Sequence, residues 1–312
     1  MRAEPLVLPA PAKLNLFLRI TGRRADGYHA LQTLYQLLDF GDEVRLEPLE
    51  NDTIERSVAI PGVDEASDLS LRAAHLLQQT AQAQGRPMGG ARIGVSKAIP
   101  QGSGLGGAST DAASVLLGLN ALWQCGFDRR QLAELGLRLG ADVPVFVHGY
   151  SAWAEGVGER LQPVALGKRW YVLLFPDEGA STAELFADPT LRRDGVPVAP
   201  PAATEAERGW SQGYEATQGP PAGARDWCAL GNDFAPVLLK RSSAVADAWR
   251  FLENFGTPRL TGTGSTLFLE ASDESVASRL TSTLKNHYNV RAVGGLDRSP
   301  ALESLDRGPA AA

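Results

Sequence analysis

Pro100-Gln101-Gly102-Ser103-Gly104-Leu105-Gly106-Gly107-Ala108-Ser109-Thr110-Asp111 runs directly into an apolar helical pattern, and four of the six residues from Gly102 to Gly107 are glycine. A structural turn needs one or two glycines; four let the backbone approach a bulky anion with no Cβ in the way. Backbone N–H groups at the start of the following helix would converge where the helix dipole favours negative charge, which is the build of a phosphate cradle. The Ser109 and Thr110 hydroxyls and the Asp111 carboxylate are candidate caps for that helix. Two familiar nucleotide motifs fit poorly. No Lys-Ser/Thr pair follows the last glycine, as a P-loop requires. Gly102, Gly104 and Gly107 match the dinucleotide spacing, but the acidic residue expected about 20 residues later would fall near Gly126-Phe127-Asp128, where another helix begins.

Working outward, Arg92 to Lys97 alternates as a strand does, so the loop joins a strand to a helix. Ala112, Val115, Leu116, Leu119 and Leu122 lie at helical spacing after it. A second helix has Asp128 as N-cap, Leu132, Leu135 and Leu139 on its face and Gly140 as terminator. Gly140-Ala141-Asp142-Val143-Pro144 reads as a turn rather than a helix, because Pro144 pushes Val143 towards extended backbone.

Nearer the N-terminus, Ala12 to Ile20 alternates with Leu14, Leu16, Leu18 and Ile20 on one face and Lys13, Asn15, Phe17 and Arg19 on the other, a half-buried strand with a polar face. Leu31 to Leu38, Phe40-Gly41-Asp42 and Glu43 to Glu47 read as an antiparallel hairpin. A helix is expected from about Asp68 to Gln84, stopped by Gly85. Beyond Tyr171 to Phe175, a strand that plausibly opens a second domain, the stretch from 191 to 224 is rich in Pro, Gly, Ala and Glu. It reads as a surface insertion or mobile segment without catalytic residues. Helices near Phe234–Lys240 and Ala244–Asn254, the turn Thr261-Gly262-Thr263-Gly264-Ser265-Thr266, the strand Leu267–Glu270, the helix Glu274–Leu284 and the strand Tyr288–Val293 follow. The tail after Asp297 reads as frayed. Domains are therefore expected at 1–165 and 166–296, with a flexible tail over 297–312.

The chain has 312 residues, 44% hydrophobic and 21% charged, enough for two domain cores. Its formal net charge of −6 opposes binding to nucleic acid or an anionic membrane, so a polyphosphate must be held by local donors. Cys125 and Cys228 are the only cysteines, far apart among apolar neighbours, and read as inert thiols in a reducing compartment. His29, His75, His148 and His287 show no metal-ligand pairing. Without a signal-peptide core or an apolar run of membrane-spanning length, the cytoplasm is the expected location.

Three segments taken together, Ala12-Lys13-Leu14-Asn15-Leu16, the glycine loop and Gly262-Thr263-Gly264-Ser265, resemble the motifs of the kinase family grouped with galactokinase, homoserine kinase and mevalonate kinase. Arg24-Ala25-Asp26-Gly27-Tyr28-His29, Leu139 to Phe146 and Ala154 to Glu159 extend the resemblance over most of the chain, towards the branch acting on a cytidine-bearing alcohol. The resemblance implies an α+β fold of two domains, the first similar to a ribosomal protein domain, with the active site in the cleft between them. It implies ATP-dependent phosphorylation of the 2-hydroxyl of 4-diphosphocytidyl-2-C-methyl-D-erythritol on the non-mevalonate route to isoprenoid precursors. Another small-molecule kinase of the family, acting on homoserine, mevalonate or a sugar, is the alternative.

Site residues follow from the same resemblance. Asp142 is expected as the base and Lys13 as its electrostatic partner, although alone each would read as a turn cap and a solvated strand lysine. Residues Pro100 to Thr110 are expected to hold ATP, with Mg²⁺ neutralising its charge and Ser109 and Thr110 as candidate contacts to the metal. Tyr28 and Phe186 are expected to sandwich the cytosine, His29 to bond its edge, and Asn15 to bond the methylerythritol. Thr182 and Gly262, Thr263 and Gly264 are expected to line the cleft. Lys97 is expected near the nucleotide or Asp142, or simply exposed. Ser103 and Ala108 stand where many relatives carry glycine, which is tolerable at Ala108 if its φ is negative. The expected partner is a small molecule carrying a cytidine diphosphate group, with no nucleic acid or membrane, and the protein a monomer or weak homodimer. An RNA-binding protein and a nicotinamide-dependent oxidoreductase are the competing classes; the acidic charge opposes the first and the missing acidic residue the second.

Overall fold

The structure, a computed structural model, describes residues 4–178, 181–201 and 226–307. Its axis is one long strand, β2 (His29–Leu49). Along one edge β2 pairs antiparallel with β1 (Leu6–Arg23), and its other edge is shared in succession. On that edge β5 (Ala152–Gly156) takes Leu31 to Tyr35, β10 (Asn289–Leu296) takes Leu37 and Leu38, and β4 (Gly90–Ser96) takes Glu43 to Leu49. The Phe40-Gly41-Asp42 turn expected between two strands is absent: β2 runs straight through. Gly41 serves a close approach instead, since a Cβ there would lie 2.2 Å from the Ala10 carbonyl oxygen on β1.

β3 (Ile54–Arg56) pairs with β4, and β6 (Arg160–Pro163) with β5. On this half of the sheet pack α1 (Leu69–Ala83), α2 (Gly107–Leu122), α3 (Arg129–Leu137) and α4 (Val143–His148), around Leu77, Val115, Leu116, Leu119, Val143 and Phe146. Asp128 caps α3 in a reciprocal capping box with Gln131, as its position suggested. The second half opens with β7 (Trp170–Phe175), which pairs with β10 on one side and β9 (Leu267–Ala271) on the other. β8 (Arg259–Leu260) completes the edge. A separate core there joins the sheet to α5 (Thr182–Ala187), α6 (Ala235–Arg241), α7 (Ser243–Leu252) and α8 (Glu274–Leu284). Because β10 bonds to both β2 and β7, a single hydrogen-bonded network ties the halves together.

Two sequence expectations change here. β1 is not half-buried: Lys13 and Asn15 are 2% exposed and Phe17 is 0%, because both faces of the strand are covered. The tail is not frayed over Pro300–Asp306, which form α9. Its Ser299 cap donates its backbone N–H to Gly149 at 2.8 Å, and Leu302 is fully buried against the first core.

Of the Pro/Gly-rich stretch from 191 to 224, residues 202–224 lie outside the described residues. The part before them is laid on the sheet: Leu191 is buried, Gly195 donates to the Ile20 carbonyl at 2.8 Å, and Gln32 exchanges bonds with Val198.

Candidate active site

The glycine loop is strung on left-handed backbone at Gly102 (φ 66°), Gly104 (φ 77°) and Gly106 (φ 79°), a conformation costly for any residue with a Cβ. Gly106, not a side chain, occupies the N-cap of α2. Ser109 and Thr110 therefore fall inside the helix's first turn and Asp111 just beyond it, and none of the three caps it. The first-turn amides keep no side-chain acceptor, so an anion has them free. Ser103 and Ala108 leave this geometry intact, because neither takes a positive φ and Ala108 is already helical. Close packing fixes the loop from both sides. A Cβ on Gly104 would meet the Thr261 carbonyl oxygen at 2.3 Å, and one on Gly106 would meet the Phe146 ring at 2.8 Å.

Against this loop lies Lys13 from β1. Its ammonium donates to Asn15 Oδ1 at 2.6 Å and to the Gly104 carbonyl at 2.9 Å, and stands 3.4 Å from Asp142 Oδ2. Burying an ammonium is tolerable only with such partners. Asn15 is fixed in turn: its backbone N–H donates to Thr261 Oγ1 at 2.9 Å and its side-chain amide to Thr33 Oγ1 at 2.8 Å.

Asp142 does not sit in an open turn. It is the N-cap residue of α4, and Pro144 falls in that helix's first turn, where a missing N–H costs nothing. That tolerance outweighs the extended bias Pro144 puts on Val143. The carboxylate is a third exposed at the cleft mouth, and the Tyr35 hydroxyl donates to its Oδ1 at 2.9 Å. Burial first, then the Asp142 charge, holds the Tyr35 phenol well above its ordinary range, so it remains a neutral donor.

A cleft of about 610 Å³ connects these groups. Of the expected residues it is lined by Lys13, Asn15, Lys97, Pro100, Gln101, Gly102, Ser103, Gly104, Gly106, Gly107, Ala108, Ser109, Asp142, Thr182, Phe186, Gly262 and Thr263. Leu105 and Thr110 are fully buried beneath it and Gly264 packs on Leu238, so these three do not line it. Thr182 and Thr263 share a hydroxyl hydrogen bond of 2.8 Å across the mouth. One end of the cleft is apolar, with Ile60, Val63, Leu69 and Ile99; the other reaches Leu18, Leu31, Phe186 and Phe234.

Lys97 neither lies free nor meets Asp142. It bridges two buried carboxylates, Asp42 at 2.5 Å and Asp111 at 2.6 Å, while Asp42 also accepts from the backbone N–H groups of Ala98 and Ile99. Burial works against the lysine's charge, but the two carboxylates outweigh it and push Lys97 up. Burial lifts Asp111 to about 7 although Lys97 opposes this, because Asp42 competes for the same lysine and adds its own charge.

At the far end His29 stacks on Phe186 with ring centroids 5.0 Å apart, and Phe186 meets Phe234 edge-on at 4.8 Å. Tyr28 is 67% exposed, and neither it nor His29 belongs to the cleft lining, which His29 meets through Phe186. Arg193, from a segment expected to carry nothing functional, donates to His29 Nε2 at 3.1 Å and to the Phe186 and Asp188 carbonyls at 2.8 and 2.9 Å. Burial, then the Arg193 and Arg23 charges, lowers His29, so the ring is neutral and its one proton sits on Nδ1. Sequence reasoning missed Tyr35, Asp42, Thr261 and Arg193. Only Thr261 stood beside a recognised motif; Tyr35 and Asp42 become visible through strand register, and Arg193 through its side-chain bonds to His29 and to the Phe186 and Asp188 carbonyls.

Among the described residues, the one gathering of His, Cys, Asp or Glu ligand atoms is Asp226, Cys228 and Glu270, none of which lines the cleft. Among the described residues, no helix is long and apolar enough to cross a membrane.

Comparison with known proteins gives the same direction. Residues 68–150, which span the glycine loop and Asp142, match the family described as GHMP kinases N terminal domain. A 4-diphosphocytidyl-2-C-methyl-D-erythritol kinase from Xanthomonas axonopodis pv. citri (strain 306) is 46% identical over 302 residues, covering 96% of this chain and 93% of the relative. The crystal structure of a 4-(cytidine 5'-diphospho)-2C-methyl-D-erythritol kinase superposes with a TM-score of 0.73 at 32% identity, covering 93% of this chain and 99% of the other. A mevalonate kinase crystal structure reaches a TM-score of 0.63 over 94% of this chain and all of its own, but at 14% identity shares the fold alone. Relatedness at that level over nearly the full length, on a cleft built from Lys13, Asp142 and the glycine loop, means that the chain belongs to the 4-diphosphocytidyl-2-C-methyl-D-erythritol kinase family.

Proposed function

We propose that Asp142 is the base and Lys13 its electrostatic partner in ATP-dependent phosphorylation of the 2-hydroxyl of 4-diphosphocytidyl-2-C-methyl-D-erythritol. The observation that carries this is the meeting of Lys13 with both the Asp142 carboxylate, at 3.4 Å, and the glycine loop, at 2.9 Å. Asp142 takes the hydroxyl proton as the substrate oxygen attacks the γ-phosphorus; the bond from that phosphorus to the ADP oxygen breaks, and ADP leaves with the electron pair. Lys13 offsets the charge that develops between loop and base, in a site sheltered enough for such interactions to be strong.

The first-turn amides of α2, from Gly107 to Ser109, are suited to the donor phosphates, and the apolar end at Ile60, Val63 and Ile99 to a flat base. Magnesium suits the Ser109 hydroxyl on the cleft wall, with phosphates and water completing its shell. Thr110 is unsuited to that role because its hydroxyl is buried away from the cleft. When bound, the ion neutralises phosphate charge. At the acceptor end, a neutral His29 with its proton on Nδ1 can donate to an acceptor on a pyrimidine edge. Phe186 and the exposed Tyr28 offer ring faces for stacking. A small-molecule acceptor on an acidic protein, with ATP as donor, fits a cytoplasmic enzyme with no nucleic-acid partner, acting as a monomer or weak homodimer.

Asp142→Asn and Lys13→Ala test the roles. Each is expected to lower kcat roughly 100-fold or more with the circular dichroism of a folded protein; Tm should stay near the parent's in Asp142→Asn and fall in Lys13→Ala, which empties a buried position. Near-parental turnover in either folded variant would remove that residue from the chemistry.

A further inference from the structure

Asp142 is held from two sides by groups on two adjacent, paired strands. Lys13 on β1 approaches Oδ2, and Tyr35 on β2 donates to Oδ1. Tyr35 is opposite Asn15 in the β1–β2 register and opposite Ala152 in the β2–β5 register, so its strand is flanked by a paired strand on both edges. Its ring lies beneath the Lys13 ammonium, 5.5 Å from the centroid, and the residue is 2% exposed. The Lys13 ammonium, by contrast, divides its donors among Asp142, Asn15 and the Gly104 carbonyl, and its contact with Asp142 is the longest of the three.

We infer that Tyr35 is a positioning residue for the phosphoryl-transfer step: its hydroxyl fixes the rotation of the Asp142 carboxylate, so that the remaining lone pairs face the acceptor hydroxyl. This rests on Asp142 being the base. A phenol suits the task because it donates one directional hydrogen bond and adds no charge to the site. Burial keeps the phenol protonated, so it does not compete with Asp142 for the substrate proton. With the hydroxyl gone, Asp142 keeps only the longer Lys13 contact and can turn about its own side-chain bonds. A misplaced base is costly because catalysis depends on near-attack geometry.

Tyr35→Phe removes one oxygen and keeps the ring that packs in the core. With saturating ATP and acceptor, kcat is expected to fall about 10- to 100-fold, the range for a hydrogen bond to a charged group. KM for both substrates should stay within about twofold and Tm within a few degrees, because the Tyr35 hydroxyl, although the residue lines the cleft, is engaged by Asp142. A kcat within twofold of the parent would overturn the proposal, as would KM values that rise in step with the loss of kcat. Asp142→Asn measured alongside keeps the two readings apart. An inactive Asp142→Asn beside a fully active Tyr35→Phe refutes only the positioning role, whereas an active Asp142→Asn refutes the base. Tyr35→Leu serves as the packing control: it should lower Tm as well as kcat, and a Tyr35→Phe that behaves like it in both would assign Tyr35 to the core alone.

Discussion

Asp111 is an ionisable group in an awkward place, buried near the start of α2 just past its first turn and sharing one lysine with Asp42. Its carboxyl is lifted from 3.8 to about 7 by burial, with the competing Asp42 charge adding to it. A group whose folded pKa is raised binds more protons in the folded state between the two values, so its contribution to stability is lost as pH rises from about 4 to 7. Replacing Asp111 with Asn removes that titration and leaves Lys97 paired with Asp42. The Asp111→Asn variant should therefore lose less Tm than the parent between pH 4.5 and roughly 7.5; parallel Tm curves would show that Asp111 is not the group responsible. At this scale the sequence was uneven. Lys13 and Asp142 were legible because they fall in motifs a family resemblance marks. Lys97 was located but its partners were not, because Asp42 and Asp111 reach it only after β2, β4 and α2 are brought together. Tyr35 gave no signal at all: between Leu34 and Gln36 it reads as one more apolar strand position, and its hydroxyl matters only because α4 delivers Asp142 to it.

Elements were easier to find than their surroundings. Alternation located β1 and β4, and helical spacing located α2, α3 and α8, since periodicity depends only on the residues themselves. Alternation on β1 did not report that its polar face is covered too. The residues responsible, Thr33, Thr261 and Gly104, come from distant segments. Asp142 in α4 shows the same limit: the extended bias before proline was read correctly as local chemistry, but the first turn of a helix accepts proline and the core took Val143, Val145 and Phe146 as helix. α9 was missed because seven residues carry too little pattern, although Leu302 is wholly buried and packs where Gly149 leaves room for it. Leu302→Ala is expected to cost about 2–5 kcal/mol of stability, read by urea unfolding. A loss below about 0.5 kcal/mol would mean that α9 is only loosely docked.

On the scale of the whole molecule, the cleft exists because two halves share one hydrogen-bonded network. β2 lends its length to β1, β4 and β5, and β10 returns from the second half to bond it. The glycine loop and Asp142 come from the first half, Thr182, Phe186 and the Gly262-Thr263 turn from the second, and Lys13 sits where they meet. Composition and charge spoke against some classes of partner but did not choose a substrate. That choice comes from the family to which the chain belongs, and in the proposed function from the His29, Phe186 and Arg193 cluster that meets the cleft at Phe186. The most direct measurement is ADP release by the unmodified protein with Mg²⁺ and ATP, offered separately 4-diphosphocytidyl-2-C-methyl-D-erythritol, mevalonate and homoserine, with the phosphorylated carbon identified by phosphorus NMR. Turnover of the cytidine-bearing acceptor alone, with phosphate on the 2-hydroxyl, is the predicted result; turnover of mevalonate or homoserine in its place, or phosphate on another carbon, would contradict it.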